Sequence, residues 1–186
     1  MTDRPFPPYL HLQDLREPQI DRPGWSLTFG AACADAAATC LDSHNHPQTI
    51  ALQIDGIQTT AIDLEWDAID DTIRRFNADE EIATEYGAYG IAALLMPRLT
   101  GLTVIERSIK GRDLGFVFWL GAIDNPATVF QRKARLEVSR IRRGSESILK
   151  SRVKMKLEQM SPSNPLAPGY VCVVEFSTPR SRIVIP

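Results

Sequence analysis

Apolar and polar positions in the first third of the chain predict one helix followed by two strands. Residues 27–41 are rich in alanine, which favours helix and permits close packing. The apolar runs at residues 49–54 and 58–66 predict two strands. Asp55 and Gly56 lie between these runs, and both residue types tolerate the positive φ of a tight turn. The pair therefore predicts a β-hairpin.

The next predicted helix begins within an acidic stretch of the chain. Asn77 and Glu80 have the spacing of a capping box, which places the start of the helix there. The helical pattern continues to about Met96. Pro97 lacks a backbone donor and Gly101 favours the conformation that follows a helix, so both are expected to end it.

Three strands, a helix and a further strand are predicted after residue 101. The strand patterns occupy residues 102–105, 116–120, 134–141 and 170–176. The second of them is almost continuously apolar, which predicts burial on both faces. Ser145 is a suitable N-cap for a helix that runs to about Met160. Pro179 is expected to limit the last strand.

The first 24 residues have a different character because they contain five prolines. Proline fixes φ and removes a backbone donor, so residues 1–24 are interpreted as an extended arm on the surface. No polar linker divides the rest, which predicts a single α/β domain with a mixed sheet over residues 25–186. Within it, residues 25–76 supply the helix and hairpin, and residues 77–186 an α-β-β-β-α-β core.

Composition indicates a soluble globular protein without a membrane-spanning segment. The chain is 44% hydrophobic and 24% charged, which is ordinary for a soluble domain. No run of 18 apolar residues and no N-terminal apolar segment of a secretory signal is found, so a cytoplasmic location is expected. Three cysteines without ligand-like spacing are interpreted as reduced thiols. His44 and His46 lack a second ligand cluster downstream, and we interpret them as part of a turn.

Charge is divided unequally between the two halves of the chain. Residues 1–100 contain 6 Lys/Arg and 16 Asp/Glu, whereas residues 101–186 contain 15 Lys/Arg and 7 Asp/Glu. The densest basic stretch, residues 132–156, has 10 basic residues and two acids, Glu137 and Glu146. A clustered positive field attracts polyanions, so this stretch predicts a nucleic-acid partner. The acidic half of the chain, or of a neighbouring copy, is an equally good counter-charge.

Glu137 stands out because it interrupts the apolar pattern of the strand at residues 134–141. A carboxylate on a strand beside a basic helix can form part of a site that cleaves phosphodiester bonds. A second interpretation is that Glu137 only pairs with Arg135, Arg140 or a lysine of the following helix. Glu85 has two interpretations as well, either solvated or facing inward with Tyr89 at helical spacing.

The order helix, strand, strand, strand, helix, strand over residues 77–176, with Glu137 on the third strand, resembles the PD-(D/E)XK (restriction-endonuclease-like) nuclease superfamily. In that family an Asp lies on the second core strand, a Glu-x-Lys follows on the third, and an acid of the first helix often joins them. The resemblance implies a restriction-endonuclease-like core in which carboxylates hold Mg²⁺ or Mn²⁺ if the protein is active. The cation polarises a phosphate and lowers the pKa of a bound water.

Residue by residue, the likeness to this family is incomplete. Glu137 occupies the place of the third-strand acid, and Ser139 stands where the lysine is expected. The second strand has no acid, and Asp113 lies in the turn before it. The resemblance implies Glu137 and Asp113 as metal ligands, and the lysine is expected from the following helix, which carries Lys150, Lys154 and Lys156. The catalytic candidates are therefore Glu137, Asp113, Glu85, Lys154 and Lys156.

Two functions of different classes follow from these residues. The first is a nuclease-like domain with an incomplete motif that binds nucleic acid, or a partner bound to it, with a role in bacterial anti-phage defence or DNA processing. Its nucleic-acid-binding residues are predicted to be Arg132, Lys133, Arg135, Arg140, Arg142, Arg143, Lys150 and Arg152. The alternative is a module without chemistry or cofactor, whose acidic and basic halves mediate a homo-oligomer or a complex with another protein.

Overall fold

Eight strands form one mixed sheet in the computed structural model, which describes residues 9–109, 115–124 and 127–186. In chain order the strands are β1 Tyr9–His11, β2 Thr49–Gly56, β3 Thr60–Glu65, β4 Leu102–Arg107, β5 Phe118–Ala122, β6 Ala134–Ile141, β7 Gly169–Glu175 and β8 Arg180–Val184. The order across the sheet is β1-β3-β2-β8-β7-β6-β5-β4. Strands β4, β5 and β6 form an antiparallel meander, whereas β6 and β7 are parallel.

Four α-helices of the described residues cover the two faces of this sheet. They are α1 Leu27–Asp42, α2 Asp71–Phe76, α3 Glu80–Thr100 and α4 Glu146–Met160. Successive side chains of a strand point to opposite faces. Leu136 and Val138 of β6 accordingly share a core with α1 and α3, whereas Val171 and Val173 of β7 pack with α4. The prediction of a single α/β domain with a mixed sheet is confirmed, and none of the described helices is long and apolar enough to cross a membrane.

Several predicted elements differ from the observed ones near the hairpin. Asp55 and Gly56 belong to β2, and the connection to β3 consists of residues 57–59. Gly56 has φ 109° and lies so close to the carbonyl of Ile183 that a Cβ would be 1.9 Å from its oxygen. Glycine is therefore favoured at this position both by the positive φ and by the close approach of β8.

The start and end of α3 also differ from the prediction. Asp79, not Asn77, caps the helix, since its Oδ1 accepts hydrogen bonds from the amides of Glu81 and Ile82. The side chain of Asn77 instead donates to the carbonyl of Ile73 at the end of α2, a short helix that was not predicted. Pro97 lies inside α3, which continues to Thr100 before Gly101 ends it with φ 68°.

Strand β8 was not predicted, although it joins the two parts of the sheet. Pro179 was expected to limit the sheet, but it lies in the turn between β7 and β8 and its carbonyl accepts a hydrogen bond from Gln53. Strand β8 pairs antiparallel with β7 and parallel with β2. The N-terminal helix and hairpin are thereby connected to the α3–β7 core.

Residues 9–24 also differ from the predicted surface arm. Strand β1 pairs in parallel with β3, and a 3₁₀ turn follows at Leu12–Arg16. Leu10, Leu12 and Leu15 are at most 1% exposed. The segment is therefore part of the core. The free energy gained by burying three leucines exceeds the preference of the neighbouring prolines for an extended conformation on the surface.

Glu175, at the end of β7, connects three segments of the backbone. Its carboxylate accepts hydrogen bonds from the amides of Ser177 at 2.8 Å, Thr178 at 2.9 Å and Gly144 at 3.3 Å. Arg180 Nε lies 3.7 Å from Oε2. Burial alone raises the pKa of Glu175, but the hydrogen bonds from Ser177 and Thr178 outweigh it, so the pKa lies below its ordinary value.

We expect Glu175→Gln to lower the free energy of unfolding by about 2 kcal/mol at neutral pH, because it removes charge-assisted hydrogen bonds from a buried group. A carboxylate whose pKa is lowered by folding stabilises the fold above its unfolded pKa, about 4.3, and this contribution is lost as the pH falls through the folded pKa. Urea unfolding between neutral and acid pH should show a smaller loss of stability in the variant. Glu158→Gln on the exposed side of α4 is the matched control, and equal curves for both variants would contradict the assignment.

Candidate active site

Glu137 lies in the middle of β6 on the face that α4 covers. It is 3% exposed, and its Oε1 is 2.6 Å from Nζ of Lys156. The alternation of β6 places Glu137 and Ser139 on this face, and the α-helical repeat places Arg152 and Lys156 one turn apart on α4. Arg152 donates to Ser139 at 3.4 Å, so two residues of the strand meet two residues of the helix.

Burial determines the electrostatics of Glu137. Removal from water raises the pKa of its carboxyl group, the hydrogen bond and charge of Lys156 oppose that change, and the charge of Glu85 adds to it. The net result is a raised pKa. Lys156 is itself largely buried, with 18% of its side chain exposed, so each charge depends on the other.

Glu85 of α3 is the second carboxylate of this region. Tyr89 donates its hydroxyl to Oε1 at 2.7 Å, and Arg140 Nη1 lies 3.3 Å from Oε2. Its side chain is 25% exposed. Of the two interpretations of Glu85, the structure therefore favours the inward one with Tyr89. Burial and the hydrogen bond to Glu85 raise the pKa of Tyr89, which remains a neutral donor.

The other catalytic candidates have different positions. Asp113 lies outside the described residues. Lys154 is exposed, and Lys150 pairs with Glu146 at 3.5 Å in the first turn of α4. Among the three lysines expected to replace the one missing at Ser139, Lys156 is thus the lysine that meets Glu137.

The described residues contain no group of three His, Cys, Asp or Glu side chains placed to hold a metal ion. Glu137 and Glu85 are close enough for the charge of one to affect the pKa of the other. Mg²⁺ is commonly held by one or two protein carboxylates, with phosphate oxygens and water completing its octahedral shell. Glu137 lies on the face of the sheet that α4 covers, whereas Glu85 belongs to α3, which packs on the opposite face, so Glu137 is the candidate ligand on the side of Lys156.

Arg135 departs from the predicted nucleic-acid surface because it is 1% exposed. Its guanidinium donates to the carbonyls of Ala167 at 2.8 Å and Met160 at 3.3 Å, to Oδ1 of Asn164 at 2.9 Å, and to the hydroxyl of Ser163. The loop after α4 therefore encloses the guanidinium. Arg135 is a structural residue in this fold, with no donor facing solvent.

Arg132 and Lys133 lie at the opposite end of β6 from Arg140. Arg132 pairs with Glu106, with Nε 2.9 Å from Oε2, and its guanidinium lies 4.9 Å from the ring centre of Trp119. Lys133 is exposed. Because β6 spans eight residues, the predicted basic surface is divided into two separate regions.

The four remaining arginines line a cavity of about 660 Å³ beyond the C-terminal end of β6. Ser43 and His44 after α1, the first turn of α3, and α4 form its walls. We name this the arginine cavity; its basic residues are Arg140, Arg142, Arg143 and Arg152. The prediction did not include Ser43, His44 or Thr84, which have no local sequence signal and are brought there by the ends of their helices.

Acids of the first half of the chain pair with arginines of the second half in this region. Arg140 lies near Glu81 and Glu85, and Arg142 Nη2 is 3.6 Å from Glu80 and 2.9 Å from the hydroxyl of Ser43. The opposed charges of the two halves are thus partly neutralised within one chain. This pairing supplies the counter-charge that the assembly hypothesis assigned to a neighbouring molecule.

Comparison with known proteins adds no family to this description. The chain matches no protein-family model, no curated protein and no solved structure. The likeness to the PD-(D/E)XK superfamily therefore rests on the order of elements and on the residues around Glu137.

Proposed function

We propose that the protein is a metal-dependent phosphodiesterase with a restriction-endonuclease-like core that acts on nucleic acid. The observation that carries the proposal is the buried contact between Glu137 on β6 and Lys156 on α4. The third core strand has Ser139 where the family has its lysine, and Lys156 brings an ammonium group to the same carboxylate from the following helix.

The arrangement of the core supports the same conclusion. Helix α3 precedes the β4–β5–β6 meander, and α4 connects β6 to the parallel strand β7. This is the order of elements on which the resemblance was based. In this order the first helix carries an acid, Glu85, and the third strand carries another, Glu137, as the resemblance implies.

The roles of the residues follow from their chemistry. Glu137, with Asp113 as a further predicted ligand, would hold Mg²⁺ or Mn²⁺. A bound cation of this kind polarises a phosphate and lowers the pKa of water. Lys156 would neutralise charge that develops on the phosphate, and its position is fixed before the substrate arrives because it is already paired.

The test compares two lysines of α4 that lie two residues apart. Lys156→Met is expected to lower the rate of Mn²⁺-dependent cleavage by about 10²-fold, in the range found when one preorganised donor is removed. Lys154→Met removes the same charge from an exposed position and should leave the rate unchanged. The measurement is single-turnover cleavage of plasmid, linear DNA and RNA with Mn²⁺ and with Mg²⁺.

Two outcomes would overturn the proposal. One is the absence of metal-dependent cleavage by the wild-type protein on all three substrates over a long incubation. The other is an equal effect of the two lysine substitutions, since only Lys156 contacts Glu137. Either result would favour the interaction module without chemistry.

A further inference from the structure

The arginine cavity has more positive charge than its own acids neutralise. Four arginines and two glutamates line it. Arg140 and Arg142 are the arginines that pair with acids of α3, including the lining residues Glu80 and Glu81. Arg143 and Arg152 make no ion pair with a carboxylate of the described residues. Burial lowers the pKa of His44 below its ordinary value, and the hydrogen bond of its Nε2 to the carbonyl of Arg142, at 2.9 Å, only partly offsets this, so His44 adds no charge at neutral pH.

The shape of the cavity restricts what it can hold. Its volume of about 660 Å³ lies within the range of about 300–1,000 Å³ that is usual for small-ligand sites. The ends of α1 and α3, together with α4, bound it. A space of this size suits a single nucleotide unit.

The two arginines that make no ion pair match one phosphate group of a particular kind. Two unpaired arginines supply two positive charges, and a phosphate monoester carries about −1.5 to −2 at neutral pH. An internal phosphodiester carries one negative charge. Arginine is also the side chain best suited to donate two hydrogen bonds to phosphate oxygens.

The cavity adjoins the candidate active site through α4. Arg152 lines the cavity and precedes Lys156 by one helical turn, while Ser139 and Glu137, their partners on β6, are two residues apart. The cavity and the Glu137–Lys156 pair are therefore neighbours along α4 and β6, and the pair itself is largely buried beneath the helix.

We propose that the arginine cavity is a binding site for a terminal phosphate group, with Arg143 and Arg152 as its principal donors. The inference rests on the proposed function for the identity of the ligand as a nucleic-acid end. The phosphate binding itself needs neither metal nor cleavage. Failure of the two proposals can therefore be distinguished, because one is tested by binding in EDTA and the other by cleavage with Mn²⁺.

The experiment measures binding by isothermal titration calorimetry in EDTA at low salt. The probes are one short single-stranded oligonucleotide with a 5′-phosphate, with a 3′-phosphate or with hydroxyls at both ends, and the corresponding nucleoside monophosphate. We expect a phosphorylated end to increase affinity about tenfold over the hydroxyl-ended probe, as expected for a charge-assisted contact. Tighter binding of either phosphorylated oligonucleotide supports a chain end, and equally tight binding of the monophosphate supports a free nucleotide in the same site.

Charge-matched variants separate the cavity from the rest of the basic surface. Arg143→Ala and Arg152→Ala should each lower affinity for the phosphorylated probe about tenfold and leave the hydroxyl-ended probe almost unchanged. Arg75→Ala removes an exposed arginine of α2 that does not line the cavity and should change affinity less than about twofold. Equal affinities for phosphorylated and hydroxyl-ended probes, or an equal effect of Arg75→Ala and the two cavity substitutions, would overturn the proposal.

Discussion

Glu137→Gln is expected to lower Mn²⁺-dependent cleavage by at least about 10³-fold, which corresponds to about 4 kcal/mol of activation free energy. The substitution keeps the size of the side chain and removes its charge. An amide is a much weaker ligand for a divalent cation than a carboxylate, and Mg²⁺ and Mn²⁺ prefer carboxylate oxygen. Single-turnover cleavage of plasmid, linear DNA and RNA measures the effect, with Glu158→Gln, an exposed position on α4, as the matched control.

The buried pair requires a second variant, because loss of activity could otherwise follow from unfolding. Glu137→Gln leaves the ammonium group of Lys156 in a largely buried position, and breaking a buried pair from one side costs about 3–5 kcal/mol of stability. The double variant Glu137→Gln with Lys156→Met removes both charges. We expect it to recover most of the lost stability in urea unfolding and to remain inactive.

These two variants distinguish a catalytic pair from a structural one. If Glu137 only pairs with Lys156, the double variant should regain both stability and any activity that the wild type has. Cleavage by Glu137→Gln at the wild-type rate, under conditions where it is folded, would contradict the role given to the carboxylate.

Elements whose boundaries have local signals could be predicted from the sequence. Strand β6 and both ends of α4 agree with the predicted residues, because Ser145 caps the start of the helix and apolar residues alternate with polar ones along most of β6. Helix α1 agrees to within one residue at its end. Capping and helix propensity act over a few residues, so a single sequence contains them.

Strands β1 and β8 were missed because their stability comes from distant partners. Strand β8 lies between β7 and β2, and β1 pairs with β3, which follows it by about fifty residues. A three-residue strand beside prolines has little local preference of its own. Its burial with Leu12 and Leu15 against α1 decides the outcome, and that packing is visible only in three dimensions.

The candidate site shows the same division between local and distant information. The periodicity of α4 is local, so the sequence alone predicted that a lysine of this helix replaces the lysine expected at Ser139. It did not show which of the three lysines of α4 meets Glu137, and the structure identifies Lys156. The arginine cavity depends on where α1 ends and α3 begins relative to β6. The sequence around residues such as Ser43 and Thr84 does not indicate that they line this cavity.

Arg135→Met is expected to lower the free energy of unfolding by about 3 kcal/mol, because it leaves buried hydrogen-bond acceptors of the loop after α4 without their donor. Arg135 donates to the carbonyls of Met160 and Ala167 and to Asn164, and its guanidinium lies 5.8 Å from the ring centre of Phe116. Burial lowers the pKa of Arg135, but its value stays far above neutral, so the group remains charged inside the fold. Methionine replaces the aliphatic part of the side chain and none of the donors.

The matched control is Arg132→Met, two residues before the same strand, where the side chain is 51% exposed and pairs with Glu106. Exposed pairs contribute about 0–1 kcal/mol, so this variant should unfold close to the wild type. Urea unfolding gives the two free energies, and hydrogen exchange should show faster exchange at residues 161–168 in Arg135→Met alone. If Arg135 belonged to a nucleic-acid surface, as the sequence suggested, Arg135→Met would weaken nucleic-acid binding and leave the free energy of unfolding unchanged. An unchanged free energy of unfolding would contradict the structural role, because it would mean that the loss of hydration of the enclosed guanidinium offsets the hydrogen bonds that it makes.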